Sequence, residues 1–171
     1  SAEYIYYPHR GLARSTLEFY DITTKFVAGE PVETGFIFPS GGTRIRRLHE
    51  DIPRKDKWSS KGSFTDCGLF GRDKFSPGSK DSVTIFEGCY DAPSGYEMLL
   101  GRSACVSVGS AATAKRDCLY DWEWINSFKK IYLCFDNDDS GKRALEEVAP
   151  MFDFKKVYHV NLTTKKDANE F

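Results

Sequence analysis

A chain of 171 residues, 40% hydrophobic and 15% aromatic, with a net charge of −1, is long enough to bury one core or two small ones. No apolar run approaches the ~20 residues that cross a membrane, and the N-terminal SAEYIYYPHRG has no basic-then-apolar signal pattern, so neither a membrane protein nor a secreted one is expected. The first residue is Ser1 rather than Met and the chain stops inside the motif DANEF, which is expected of a piece of a longer protein.

In chain order, HRGLARSTLEFYDI (9–22) reads as an amphipathic helix beginning at Ala13 or Arg14. GFIFPSGGTRIRRL (35–48) reads as a hairpin in which Pro39 and Gly41–Gly42 supply the turn. A loop dense in Arg, Lys and Gly then runs to PGSKD (77–81), the expected lobe boundary. Residues 1–80 carry 13 Lys and Arg against 10 Asp and Glu, whereas residues 81–171 carry 11 against 15. Within 44–80 the count is 10 against 5. Two parts are therefore expected, a small basic α+β subdomain over 1–80 and an acidic one over 81–171, with different partners. A charge run is also the ordinary state of a solvated face.

From Ser82 the pattern changes. SVTIF (82–86), ACVSVG (104–109), IYLCF (131–135) and KVYHVNL (156–162) read as strands. YEMLL (96–100) completes a helix, a second helix covers Asp117–Phe128, and KRALEEVAPMF (142–152) forms a third. Strands alternating with helices predict an α/β fold, a parallel sheet with both faces covered. Functional residues then belong beyond the carboxyl ends of its strands. The five cysteines are spaced by 22, 16, 13 and 16 residues, so no CxxC pair exists and a zinc ribbon is excluded. Cys105 and Cys134, inside strands, read as reduced core thiols of a cytosol-like compartment.

Acidic residues stand where strand-end chemistry belongs. Glu87 follows SVTIF directly, with Gly88 allowing a tight exit and Asp91 one helical turn further on. Asp136 and Asp138 follow IYLCF, and Asp167 follows KVYHVNL after a short polar loop, in KKDANE. Carboxylates crowded at strand ends repel one another unless something neutralises them. Hard oxygen ligands without neighbouring His or Cys select Mg²⁺ or Mn²⁺ over zinc, and such ions keep positions open for water and substrate phosphates. That arrangement suits phosphoryl transfer. Taken alone, DxD is more often a helix N-cap, and Asp138 or Asp139 would serve the helix starting near Gly141 in that way. Arg44 and Arg46 alternate along a strand about Ile45, so both guanidinium groups point the same way, suited to forked binding of phosphate. Ion pairs with Glu50 and Asp51 are the plainer alternative. Trp58 and Phe64, among the basic residues, are core side chains or base-stacking platforms.

VTIFEGCYDA, YLCFDNDDSGKRALEE and KKDANE resemble the Toprim fold shared by DnaG-type primases, topoisomerases and related nucleases. HRGLARSTLEFY, TRIRRL, KDKWSSKGSFTDCGLFGRDKF and VSVGSAATAKRD resemble successive stretches of the RNA-polymerase part of bifunctional phage-type primase–helicases, the family that includes Twinkle proteins. The resemblance spans about Tyr7 to Glu170. It implies a Toprim-type parallel sheet flanked by helices and preceded by the basic subdomain. It implies that Glu87, Asp136 and Asp138 are catalytic and hold two Mg²⁺ or Mn²⁺ ions with Asp167, and that no zinc is bound in this piece. Asp91 matches a further acidic position. Arg44, Arg46, Lys57, Lys115 and Lys166 fall where the family binds nucleotide and DNA, although the loop holding Lys57 is longer here and the turn before Lys115 one residue shorter.

The resemblance also implies a DNA primase that makes short RNA primers from ribonucleoside triphosphates on single-stranded DNA. A zinc-binding module and a ring helicase are expected elsewhere in the parent chain, since neither zinc-binding cysteines nor a GxxxxGK[ST] loop is present. The expected setting is a bacterial host cytoplasm, for a phage protein, or an organellar matrix. The competing readings are a Toprim-type nuclease or topoisomerase, and a non-catalytic single-strand-binding module of a replicative helicase.

Overall fold

The computed structural model describes residues 1–49 and 51–161. It divides into two compact units, one covering residues 1–67 and the other beginning at Gly68.

The first unit is an antiparallel sheet with one helix. Its strands are β1 (Ala2–Ile5), β2 (Thr23–Val27), β3 (Glu30–Ile37), β4 (Thr43–Arg47) and β5 (Trp58–Lys61), hydrogen-bonded in sequence order. Helix α1 (Arg14–Tyr20) lies between β1 and β2 in the chain and ends where Asp21 adopts a left-handed conformation at φ 56°. Leu12, Leu17, Tyr20, Ile22, Phe36 and Phe38 are buried and make the core. The β2–β3 turn is Ala28–Gly29, both at positive φ (52° and 78°), a pairing that matches the right-handed twist of the strands it joins. The expected hairpin over 35–48 is present, closed by the Phe38 N–H donating to the Gly42 carbonyl at 2.8 Å.

The second unit is a parallel sheet. Its strands are β6 (Ser82–Phe86), β7 (Ser103–Ser107), β8 (Lys130–Cys134) and β9 (Val157–His159), ordered β7-β6-β8-β9. Val83, Ile85, Cys105, Val106, Ile131 and Leu133 are fully buried, which is why β6, β7 and β8 read as apolar runs. Helices α2 (Asp91–Met98), α3 (Ala114–Tyr120), α4 (Trp122–Asn126) and α5 (Asp139–Val148) connect and flank the strands. All five cysteines are buried free thiols.

Two differences from the sequence reading have clear causes. The division between units falls after Cys67, not at 77–81, because residues 68–75 are tied to the second unit. Phe70 bridges Ser107, the Leu69 N–H donates to Asp121 Oδ2 at 2.8 Å, and Trp124 Nε1 donates to the Phe75 carbonyl at 2.9 Å. The helix expected over 117–128 is two short helices, α3 and α4, that meet at Asp121. That residue's carboxylate is buried, bonded to Leu69 and paired with Arg72 at 3.4 Å.

Burial raises the Asp121 pKa above the ordinary carboxylate value, against the opposing pull of the Leu69 N–H and Arg72. A carboxyl group raised in the folded state favours folding most fully below its unfolded pKa, and that contribution is lost as pH rises through the folded one. Asp121→Asn keeps an acceptor for Leu69 without the buried charge. It is therefore expected to match or exceed the wild type in stability at neutral pH, with the balance moving toward the wild type as pH falls through the raised pKa. Asp121→Ala orphans a buried N–H and is expected to cost about 1–3 kcal/mol. Urea unfolding of the three proteins across a pH series checks both.

Candidate active site

The order of the parallel sheet fixes where its functional crevice lies. From β6 the chain crosses to β7 on one side, then returns past β6 to β8 on the other. At such a reversal the connections leave in opposite directions, and a crevice opens beyond the carboxyl ends of the two central strands. Glu87 is the first residue after β6, and Asp136 lies two residues beyond β8, whose Cys134 is in register with Phe86 of β6. The backbone N–H of Asp136 donates to Glu87 Oε1 at 3.1 Å, so the two strand ends are joined through a carboxylate.

The other acidic residues differ in setting. Asp91, the first residue of α2, is 6% exposed, and its Oδ2 lies so near Gly88 that a Cβ there would stand 3.0 Å from it. Burial pushes the Cys134 thiol up to about 12, and the negative charges of Asp91 and Asp136 add to the rise. Asp138 is exposed and caps α5, accepting the Gly141 N–H on Oδ1 at 2.8 Å. The cap anticipated as the plainer role of DxD is thus present, and it engages one of the Asp138 oxygens. Asp167 and Lys166 lie outside the described residues.

Gly141 explains the spacing of DxDxxG. A Cβ on residue 141 would run into the backbone carbonyl of Asp136, so only glycine lets the first turn of α5 close over the strand end. Gly95 does the same for α2, where a Cβ would meet the ring of Phe86, the residue before Glu87. Asp117 is a residue the sequence reading missed. It is buried in α3, and its Oδ2 accepts from the Gly109 N–H at 2.9 Å and from Thr113 Oγ1 at 2.8 Å, which fixes the loop after β7. Ser110 and Thr113 form a reciprocal capping box in that loop, and the S-x-x-T spacing was its available signal. Lys115 follows on the exposed first turn of α3.

Residues 84–171 match the Toprim-like family. The chain belongs to that family. This Toprim-like chain is 38% identical, over 125 residues, to the DNA helicase/primase of Enterobacteria phage T3, a stretch that is 72% of this chain and 22% of that protein. It thus spans about a fifth of the relative's length. Its structure is similar to the crystal structure of the primase fragment of the bacteriophage T7 primase–helicase, with a TM-score of 0.81 and 26% identity over 99% of this chain and 69% of the fragment. It is also similar to a chain in the structure of the T7 lagging-strand DNA polymerase interacting with primase domains bound to an RNA/DNA hybrid and dTTP, with a TM-score of 0.77 and 26% identity over 99% of this chain and 84% of that one.

Toprim-like proteins generally use divalent metals such as Mg²⁺. Among the described residues no three His, Cys, Asp or Glu side chains converge closely enough to enclose an ion. Mg²⁺ does not require that, because it keeps several waters and takes one or two carboxylates together with substrate phosphates. Glu87 and Asp136, both half-buried oxygen donors at joined strand ends, fit such an ion.

In the first unit, Arg44 and Arg46 point to the same side of β4, both over the Trp58 ring with guanidinium carbons 5.4 Å from its centroid. Lys57 immediately precedes β5 and is half-buried. Phe64 packs edge-on against Phe38 at 5.2 Å, a core contact.

Ala exceeds Gly in intrinsic helix propensity by about 1 kcal/mol, so propensity alone predicts that Gly141→Ala stabilises α5. The clash with Asp136 predicts the reverse. The variant is expected to unfold at lower urea concentration, by about 1–3 kcal/mol, as over-packed sites do.

Proposed function

We propose that this Toprim-like chain is the catalytic core of a DNA primase, which joins ribonucleotides into short RNA primers on a single-stranded DNA template. The observation that carries the reading is the union of Glu87 and Asp136 at the reversal point of the parallel sheet. The T3 and T7 proteins to which the chain is similar are described as primases, and one matched structure has primase domains bound to an RNA/DNA hybrid and dTTP.

Glu87 and Asp136 hold divalent cations, Mg²⁺ or Mn²⁺ and two in number, with Asp138 supplying its uncapped oxygen and Asp167 a further carboxylate. Bound there, the ions supply charge neutralisation at the transferring phosphorus and lower the pKa of the attacking 3′-hydroxyl. The remaining work is positioning, since phosphoryl transfer needs little covalent chemistry from protein. Glu87, oriented by the Asp136 N–H, presents a fixed carboxylate edge at which the hydroxyl proton can be accepted. Asp91, whose carboxylate lies beside Gly88, is a further acidic group next to this strand end, which strengthens the demand for cations. Arg44 and Arg46 neutralise the triphosphate through forked contacts, with Lys57, Lys115 and Lys166 as point charges on nucleotide or template phosphate. Template reading by a zinc-binding module and unwinding by a ring helicase belong to other parts of the parent protein, a phage-type enzyme of the bacterial cytoplasm.

Extension of a preformed dinucleotide on single-stranded DNA tests the reading without the zinc-binding module. Extension is expected with Mg²⁺ or Mn²⁺ and none with EDTA, and Asp136→Ala is expected to lower it by about 10²–10³-fold or more. Arg44→Ala combined with Arg46→Ala is expected to raise KM for ribonucleoside triphosphate about tenfold or more while DNA strands stay uncut. Metal-dependent strand cutting without extension would replace the primase with a nuclease. Salt-sensitive DNA binding with neither activity would leave a binding module.

A further inference from the structure

Arg44 and Arg46 are separated by one residue on a single strand face, so two like charges sit close together on β4. Across the sheet, Arg46 stands directly opposite Trp58 of β5, while Arg44 stands between Phe36 of β3 and Ser60 of β5. The half-buried indole therefore lies diagonal to one arginine and opposite the other, and it meets both guanidinium groups at the same 5.4 Å. The Phe36 ring packs against the indole at 5.8 Å and 41°. Arg44 is fixed further by its Nη1 donating to Ser60 Oγ at 3.0 Å, while its Nε is buried without a hydrogen-bond partner. A buried guanidinium nitrogen without a partner loses solvation, and the negative face of an aromatic ring offsets that loss where an aliphatic side chain does not.

We infer that Trp58 is the positioning residue of this basic strand, an aromatic platform whose π face aligns Arg44 and Arg46 as one site for an oligophosphate such as a nucleoside triphosphate. The inference rests on the reading that these arginines bind nucleotide phosphate. Trp58 does not itself touch the phosphate. It lowers the cost of holding two cations side by side before the anion arrives, and so acts on triphosphate affinity and not on the chemical step.

The test replaces Trp58 with tryptophans bearing one to four ring fluorines, which weaken the negative face stepwise while keeping the shape, and with Phe and Leu. ATP binding by calorimetry is measured beside the KM and kcat of dinucleotide extension. Affinity for ATP is expected to fall in step with fluorination, reaching about 5- to 10-fold for tetrafluorotryptophan and for Trp58→Leu, with KM rising in parallel and kcat within about twofold. Trp58→Phe is expected to recover most of the loss. In an Arg44→Ala, Arg46→Ala background, Trp58→Leu is expected to have no further effect on ATP affinity, because the interaction it removes is already gone. ATP affinity unmoved by fluorination, or Phe no better than Leu, overturns the inference. ATP affinity that tracks fluorination in a protein that extends no primer sinks the primase reading and leaves the role of Trp58 standing. Extension with affinity indifferent to fluorination does the opposite.

Discussion

The hydrogen bond from the Asp136 backbone to Glu87 Oε1 ties the ends of β6 and β8 together, and the placement of the acidic site follows from it. Parallel strands bring their carboxyl ends to one edge, and the β7-β6-β8-β9 order opens a crevice between the two central strands. Two chain segments 49 residues apart thus deliver carboxylates to one place, and one of them is oriented by the other's main chain. Burial holds the Cys134 thiol neutral, with its pKa pushed up to about 12, and Asp91 and Asp136 add to the rise.

Glycine makes this geometry possible at two points. Gly141 lets α5 begin against the carbonyl of Asp136, and Gly95 lets α2 cross the ring of Phe86. Gly141 lies in the first turn of α5 and Gly95 inside α2, both unfavourable by intrinsic propensity, and both stand where a helix approaches a residue at or beside one of the joined strand ends. Asp117 and Asp121 play the corresponding part with polar groups. Each is a buried carboxylate in or beside α3 that accepts a backbone N–H from a loop, one after β7 and the other at Leu69.

Much of the parallel sheet was legible because β6, β7 and β8 are short apolar runs with acidic or polar residues at their ends, and burial on both faces demands that pattern. The acidic positions of the site were legible for the same reason, since Glu87 and Asp136 interrupt apolar runs. β1, β2 and β5 were not. TTKFV and WSSK are half-exposed, carry polar side chains at most positions and gain their order from partners across the sheet. The break between α3 and α4 was also hidden, because Asp121 is held there by an N–H 52 residues away. The glycine in DxDxxG was visible as spacing, but its reason lies in a backbone carbonyl that no residue type encodes. Trp58 stood among basic residues as a base-stacking or core candidate, and its contact with two arginines required the β4–β5 register.

The central claim is that the joined ends of β6 and β8 hold a divalent cation, and Mn²⁺ binding followed by electron paramagnetic resonance tests it without substrate, template or the rest of the parent protein. The account predicts that the wild type removes free Mn²⁺ from solution, that Mg²⁺ competes for it, and that Glu87→Gln and Asp136→Asn each abolish binding while Asp138→Asn only weakens it. Binding that survives both Glu87→Gln and Asp136→Asn, or a wild type that binds no Mn²⁺ at millimolar concentration, would contradict it.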